Sequence, residues 1–261
     1  MPNHVTNRVH LIGEPERIRE LLEAVRFDDG EIGTLDFNKL IPMPEALNLE
    51  CGSLTANAMS AYLSAVNPDN PAFASTCKLP RLLFQNLMRK ISKEHYGCYA
   101  KTMRTPKDIG EKADEMIALG KKYVENFQRY GATTWYDFRV ANWGSKWNSY
   151  NPQPFTEDTL IFQTAWSRVL PVIAALAAKY PDIAIEYAWA DEDIGCNVGY
   201  AEFQDGELVN EIWCDPDTKE AYEFAAAVLG EELSDWGLVF NEKSQNYEYI
   251  EEAEEENPVM K

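Results

Sequence analysis

Two stretches of alternating polarity are each tied to an amphipathic helix, and a long run of helical pattern separates them; this order limits the chain to an interrupted α+β fold. Val5, Asn7, Val9 and Leu11 alternate with Thr6, Arg8, His10 and Ile12, the period of a strand with one buried face, and Gly13 ends the run. Ile18, Leu21, Leu22 and Val25 then recur at helical spacing, with Glu14 and Glu16 in the first turn and Arg26 in the last, as the helix dipole favours. The apolar run from Asp36 to Met43, closed by Pro42 and Pro44, reads as a second strand. Tyr136, Phe138 and Val140 alternate with Asp137 and Arg139, so Trp135 to Ala141 reads as a third. Pro171 opens a helix with Ile173, Leu176, Ala177 and Tyr180 inward, and Ile183, Ile185, Tyr187 and Trp189 alternate along a fourth strand.

Residues 54–66, 80–92 and 106–130 read as helices, the last with Thr105 as N-cap and Pro106 at its first position. The expected architecture is a ferredoxin-like βαββαβ sheet with a helical insertion between strands 2 and 3. A hairpin of 198–203 and 208–213, turned at Asp205-Gly206, extends the sheet, and Asp215-Pro216 starts a last helix. In domain terms, residues 1–50 and 131–215 form the discontinuous ferredoxin-like domain. Residues 51–130 are a basic helical insertion, 216–250 an acidic carboxy-terminal helix and extension, and 251–261 an acidic tail too poor in apolar groups to fold alone.

Charge is distributed as unevenly as structure. From Glu186 to Lys261 there are 22 acidic residues against 3 basic ones, which accounts for the whole net charge of −19. Cys77 to Lys107 holds eight Lys or Arg and one acid, Glu94. Such a field governs association more than folding. No stretch approaches the ~20 apolar residues of a membrane span, and MPNHVTNRVHLIG lacks a charged-then-apolar leader, so the expected location is the cytoplasm, with no membrane partner. The five cysteines are scattered without a C-x-x-C pair and read as reduced thiols. No nucleophile elbow, P-loop or dinucleotide fingerprint occurs, so enzyme activity has no sequence support and no cofactor is expected.

Three constellations could carry function. Asn142, Trp143, Lys146 and Trp147 follow the expected third strand, where two indoles and a cation could form a pocket that stacks a base or sugar and meets an anion; the alternative is that the tryptophans cover one end of the sheet. Arg81, Arg89, Lys90 and Lys93 could meet nucleic-acid phosphates, although they do not share one helix side. The acidic positions Asp191, Glu192, Asp193, Glu207, Glu211, Glu231, Glu232 and Asp235 could present carboxylates in the manner of a duplex backbone to a basic protein. Asp191 to Asp193 also resemble hard-cation ligands, but the calcium-loop spacing is absent and no metal site is expected. His4 and His10 fall on one strand face, ~20 Å apart and too distant to share a metal; His4 with Asn3 and Asn7 could form a polar pocket.

PNHVTNRVHLIG, DFNKLIPMPEAL (36–47), WGSKWNSYN (143–151), FQTAWSRVLPVIAALAAKYP (162–181) and YAWADEDIG (187–195) together resemble the Api92-like, or YubB-like, proteins. The resemblance implies a ferredoxin-like domain and an origin in bacteriophages, conjugative plasmids or related mobile elements. It implies a context and no reaction. In that context the acidic end suggests a non-enzymatic counter-defence inhibitor that binds a basic, nucleic-acid-handling host protein by nucleic-acid mimicry. The competing expectations are a nucleic-acid-binding accessory protein acting through the basic insertion, and an enzyme with Asn142, Lys146, Asp191 and Asp193 around a pocket.

Overall fold

The computed structural model describes residues 3–94, 105–153 and 156–250. In chain order the main elements are β1 (His4–Ile12), α1 (Pro15–Val25), α2 (Ser53–Val66), α3 (Arg81–Glu94), α4 (Pro106–Ile109), α5 (Ala113–Tyr130), α6 (Trp135–Trp143), β2 (Thr159–Ala165), α7 (Leu170–Lys179), β3 (Ala184–Asp191), β4 (Gly199–Gln204), β5 (Glu207–Trp213), α8 (Lys219–Leu229), β6 (Leu238–Asn241) and β7 (Asn246–Tyr249). The chain divides into two compact units, Met1–Pro42 with Asn142–Lys261, and Met43–Ala141.

The first unit carries a five-stranded antiparallel sheet in the order β2-β1-β3-β4-β5. Because β2 and β3 both run antiparallel to β1 from opposite sides, they are parallel to one another and joined by α7 across β1. That is the split β-α-β unit of a ferredoxin-like fold. Val5, Val9 and Leu11 on β1, Leu160 and Phe162 on β2, and Ile185, Tyr187 and Trp189 on β3 are all buried, as are Ile18, Leu21, Leu22 and Val25 of α1 and Val172, Ile173, Leu176 and Ala177 of α7. Each such side chain removed from water contributes about 1.5–3 kcal/mol, which is why the two periodicities face one another. A separate cluster of Ala190, Ile194, Val198, Tyr222, Ala225, Val228 and Leu238 seats α8 beside β3.

The α+β, ferredoxin-like class holds, but two strands lie elsewhere than the alternation suggests. Residues 36–43 form no strand: Asp36 accepts a hydrogen bond from the Asn38 backbone at 2.9 Å and caps a 3-10 turn at Phe37–Lys39. Trp135 to Ala141 is helical, within α6. Its start is fastened by Asp137, which accepts from the Thr133 backbone N–H at 3.2 Å and from the Thr133 hydroxyl. The third strand is instead β2, whose outer edge is paired by an extended segment: Tyr150 exchanges backbone hydrogen bonds with Gln163 at 3.1 and 2.8 Å, and Gln153 donates to Ile161 at 2.9 Å. This segment occupies the place of the second ferredoxin strand.

The hairpin β4–β5 turns at Asp205 and Gly206 with φ of 52° and 83°, the primed-turn geometry a two-residue loop requires. A further hairpin, β6–β7, follows α8 where only an acidic extension was expected. In the second unit, the helix expected over 106–130 breaks at Gly110, where φ reaches 91°. The core of that unit joins Ala58, Met59 and Leu63 of α2, Leu87, Met88 and Ile91 of α3, and Tyr123, Val124 and Phe127 of α5. The expected acidic tail at 251–261 lies outside the described residues, as do Lys101 and Arg104 of the basic segment.

Candidate functional site

Two of the sequence blocks quoted above meet at one end of the sheet. Trp143 is fully buried against Phe37, with ring centroids 5.6 Å apart, and its indole N–H donates to the Ile41 carbonyl at 2.9 Å. Asn148 accepts from the Phe37 backbone at 2.9 Å and donates to Asp36 at 2.7 Å, while Ser149 donates to the Leu35 carbonyl at 2.5 Å. Buried Ser145 bridges to both the N–H and the carbonyl of Ala165 at 3.3 Å. Gly144 sits at φ 82°, and a Cβ there would meet the Arg168 carbonyl oxygen at 2.8 Å, so only glycine fits the turn. The loop is thereby fixed at both flanks, which determines where Lys146 and Trp147 stand.

The 166–169 loop is held as firmly from below. Buried Asn7 donates to Thr164 Oγ1 and to the Val5 carbonyl, each at 2.9 Å. Asn7 Oδ1 accepts from the Tyr187 hydroxyl at 2.6 Å, and that hydroxyl accepts from the Val169 N–H at 2.9 Å. Thr164 in turn donates to the Ser167 carbonyl at 2.7 Å. Burial pushes the Tyr187 phenol well above its ordinary range, with the Val169 N–H and Arg168 opposing. A polar network of this kind is stable only when every member is satisfied, and here each group named has its partner.

What these two anchors display is a row of rings and cations. Lys146 Nζ lies 4.2 Å from the Trp147 ring centroid and 5.8 Å from that of Trp166. Two residues beyond Trp166, the Arg168 guanidinium lies 4.5 Å from Trp189 and 4.1 Å from Trp213, and it is paired with Glu211 at 2.7 Å. Trp147, Trp166 and Trp213 remain 39%, 53% and 52% exposed. Trp166 has φ 71°, a left-handed backbone that costs a bulky residue about 1–3 kcal/mol. Beside the row, Tyr150 packs edge-on against Trp147 at 6.0 Å and shares a 2.7 Å hydrogen bond with His4 Nδ1. Burial chiefly, and Glu192 secondarily, raise the Tyr150 phenol.

The pocket residues read from the sequence therefore separate. Lys146 and Trp147 are on this surface, whereas Trp143 belongs to the core. Trp166, Arg168, Trp213 and Tyr150 were missed. For Trp166 and Arg168 the signal was the same as that of Lys146-Trp147, an aromatic residue within two positions of a cation; Trp213 and Tyr150 have no cation that near in the sequence.

The acidic positions also separate. Asp191 is buried and accepts from Asn3 at 3.2 Å, the Asp193 N–H at 3.0 Å and Asn197 at 3.2 Å, so its carboxylate closes the turn after β3. Glu211 is committed to Arg168 and to the Trp213 indole at 2.8 Å. Glu192 and Asp193 are exposed where β3 ends, while exposed Glu207 opens β5 at the other end of the sheet, ~20 Å from Trp213 along the strand. Glu231, Glu232 and Asp235 are exposed beyond α8. These carboxylates form no single ladder. Lys146 and Asp191 likewise have different contacts, the former on the Trp147 and Trp166 rings and the latter on Asn3, Asn197 and the Asp193 N–H.

In the helical unit, Arg81 pairs with Asp69, and Lys90 Nζ lies 5.8 Å from the Phe127 ring. Arg89 is exposed on the same helix, and Lys93 falls in its last turn. On the sheet face away from α1 and α7, Arg8, His10, Thr159, Glu186, Ala188 and Tyr200 line a cleft of about 260 Å³ in which His10 Nδ1 meets Glu186 at 3.0 Å. Among the described residues no group of three or more His, Cys, Asp or Glu is placed to hold a metal ion, and no helix is long and apolar enough to cross a membrane.

The fold and this ring-bearing end define a ferredoxin-like α+β protein with a helical unit inserted after its first β-α pair. Residues 142–232 match the family model described as a ferredoxin-like domain in Api92-like protein. The matched span contains every member of the ring-and-cation row. A crystal structure of api92 from Yersinia pseudotuberculosis is similar at 12% identity and a TM-score of 0.37, over 83% of this chain and 100% of that one. No curated protein matches the chain.

Proposed function

We propose that the chain is a non-enzymatic binding protein of a phage, plasmid or related mobile element, and that it engages a basic host protein as a counter-defence factor. The observation that carries this reading is the set of three exposed tryptophans, Trp147 and Trp166 met by Lys146 and Trp213 by Arg168, with a strained backbone at Trp166. Tryptophan and arginine dominate the energetic centres of protein interfaces, and exposed indoles held in fixed positions lose little entropy on docking. The acidic surface has a different part. Its dispersed carboxylates, with a net charge of −19 on the chain, accelerate encounter with a basic partner and set the salt dependence. Glu192, where β3 ends, supplies negative charge near Tyr150.

Capture from host lysate after nuclease treatment tests the reading, with the bound protein identified and its kinetics measured. A basic protein that binds wild type is expected to be lost with the Trp147→Ala, Trp166→Ala pair. The Glu231→Lys, Glu232→Lys, Asp235→Lys triple should bind it with a slower, less salt-sensitive association rate and a nearly unchanged dissociation rate. Capture that vanishes with nuclease would move the function to Arg81, Arg89, Lys90 and Lys93, and capture indifferent to both tryptophans would refute the docking surface.

A further inference from the structure

Lys146 is a cation already seated on two indoles. Its ammonium lies over the Trp147 ring at 4.2 Å and within reach of Trp166 at 5.8 Å, with Tyr150 standing edge-on to Trp147 and Glu192 contributing negative charge near Tyr150. Among the described residues it has no carboxylate partner within ion-pair distance. An ammonium that rests on ring faces in preference to a carboxylate marks a place where the π-quadrupoles, reinforced by the surrounding acidic field, favour positive charge. The sequence suggested that Lys146 meets an anion beside the rings; the rings themselves hold a cation, the Lys146 ammonium.

The geometry points to an aromatic cage formed by Trp147 and Trp166, with Tyr150 edge-on against Trp147, that takes an alkylammonium group, the side chain of a lysine on the partner, with Lys146 as an internal placeholder displaced on binding. This rests on the basic-partner reading above and specifies what that partner inserts. Three features support it together. Both indoles are partly open to solvent, so a second ammonium can reach them. The two sides of the cage are set independently, Trp147 by the Ser145 and Asn148 anchors and Trp166 by the Asn7–Tyr187–Thr164 network, so the gap between them is preformed. Lys146 is tethered one residue from Trp147, which gives it a high local concentration but a short reach. A longer, freely oriented ammonium can satisfy both rings where Lys146 sits nearer one.

An internal competitor lowers apparent affinity by the fraction of time it leaves the site free. If Lys146 fills the cage about nine-tenths of the time, its removal tightens external binding about tenfold. Tetramethylammonium chloride titrated into the full ¹⁵N-labelled chain, against sodium chloride as the ionic control, reads this through the indole N–H signals, with Trp147→Phe and Trp166→Phe assigning the two cage resonances. Saturable shifts confined to those two are expected, about tenfold tighter in Lys146→Gln than in wild type, while the signals of buried Trp143 and Trp189 stay fixed and report an intact fold. Nα-acetyl-lysine methylamide should act as the quaternary ion does, and its Nε-acetylated form should not. No saturable shift in Lys146→Gln, or equal affinity in the two proteins, overturns the inference. The two readings fail separately: tryptophan-dependent capture of a basic protein without ammonium shifts sinks the cage alone, and ammonium shifts without any captured basic protein sink the partner reading alone.

Discussion

Replacing Tyr187 with phenylalanine removes one hydroxyl that holds the floor of the proposed binding surface. The group is fully buried, donates to Asn7 Oδ1 at 2.6 Å and accepts from the Val169 N–H at 2.9 Å. Its loss strips two buried polar groups of their partner, at about 1–3 kcal/mol for each group left unsatisfied. The phenylalanine ring keeps the apolar contacts, so the expected loss is about 2–3 kcal/mol. Urea unfolding followed by tryptophan fluorescence reports the correct unit, because of the seven tryptophans only Trp135 lies outside it. With an m-value of about 2.5 kcal/mol/M, the midpoint should fall by about 1 M with the slope unchanged. The alkaline limb supplies an independent check. Burial raises the folded phenol above its unfolded value of about 10, so the folded state keeps a proton that the unfolded chain releases. The stabilisation from Tyr187 is complete below pH 10 and declines by about 1.4 kcal/mol per pH unit above it. The difference between wild type and variant should therefore shrink between pH 10 and 11. A loss below 1 kcal/mol at pH 8, or a difference that stays constant to pH 11, would refute the network as described.

Three further outcomes are expected. Trp166→Asn relieves the left-handed strain and should raise stability by about 1 kcal/mol while abolishing partner capture, opposite signs that a purely structural tryptophan would not give; melting temperature and the capture experiment read the two. Gly144→Ala should cost about 2 kcal/mol or more, since its Cβ meets the Arg168 carbonyl oxygen at 2.8 Å in a positive-φ turn, and calorimetry would detect the lowered transition. Asp191→Ala should cost about 2 kcal/mol by leaving Asn3, Asn197 and the Asp193 N–H without their acceptor, and amide exchange at Asp193 should speed up accordingly.

β1, α1, α7 and β3 were legible because each buries one face against the others, so that periodicity and tertiary burial coincide. The stretch 135–141 misled because Tyr136 and Val140, 41% and 44% exposed, are apolar residues on the outside of a helix. They complete a false alternation with buried Phe138. The capping contact between Thr133 and Asp137 was the available local sign, and it outweighs a short alternating run. The stretch 36–43 misled in a similar way: apolar content suggested a strand, while Asp36 with Asn38 two residues on signalled a capped turn. β2 lacked an alternation to find, since Leu160 and Phe162 are buried with Ile161 half-buried between them. At the site, residue types around Lys146 pointed to an aromatic and cationic surface, but membership depended on contacts between segments about twenty residues apart or more, such as Lys146 with Trp166 and Arg168 with Trp213. Carboxylate density could not show that Asp191 turns inward, because a buried acid and a solvated one read alike in a sequence.

The hydrogen bond from the Trp143 indole to the Ile41 carbonyl joins the points at which the chain leaves the sheet-bearing unit and returns to it. The two ends of the insertion thus meet at a neck closed by a hydrogen bond within the sheet-bearing unit. A neck closed in this way makes the insertion an exchangeable cassette: residues 43–141 can be lengthened, replaced or cut to a short linker at the modest entropic charge of changing a loop, while the registers of β1 and β2 and the seat of Trp143 stay intact. Evolution of such a protein can then vary one half of the molecule freely while the tryptophan row on the other half remains fixed.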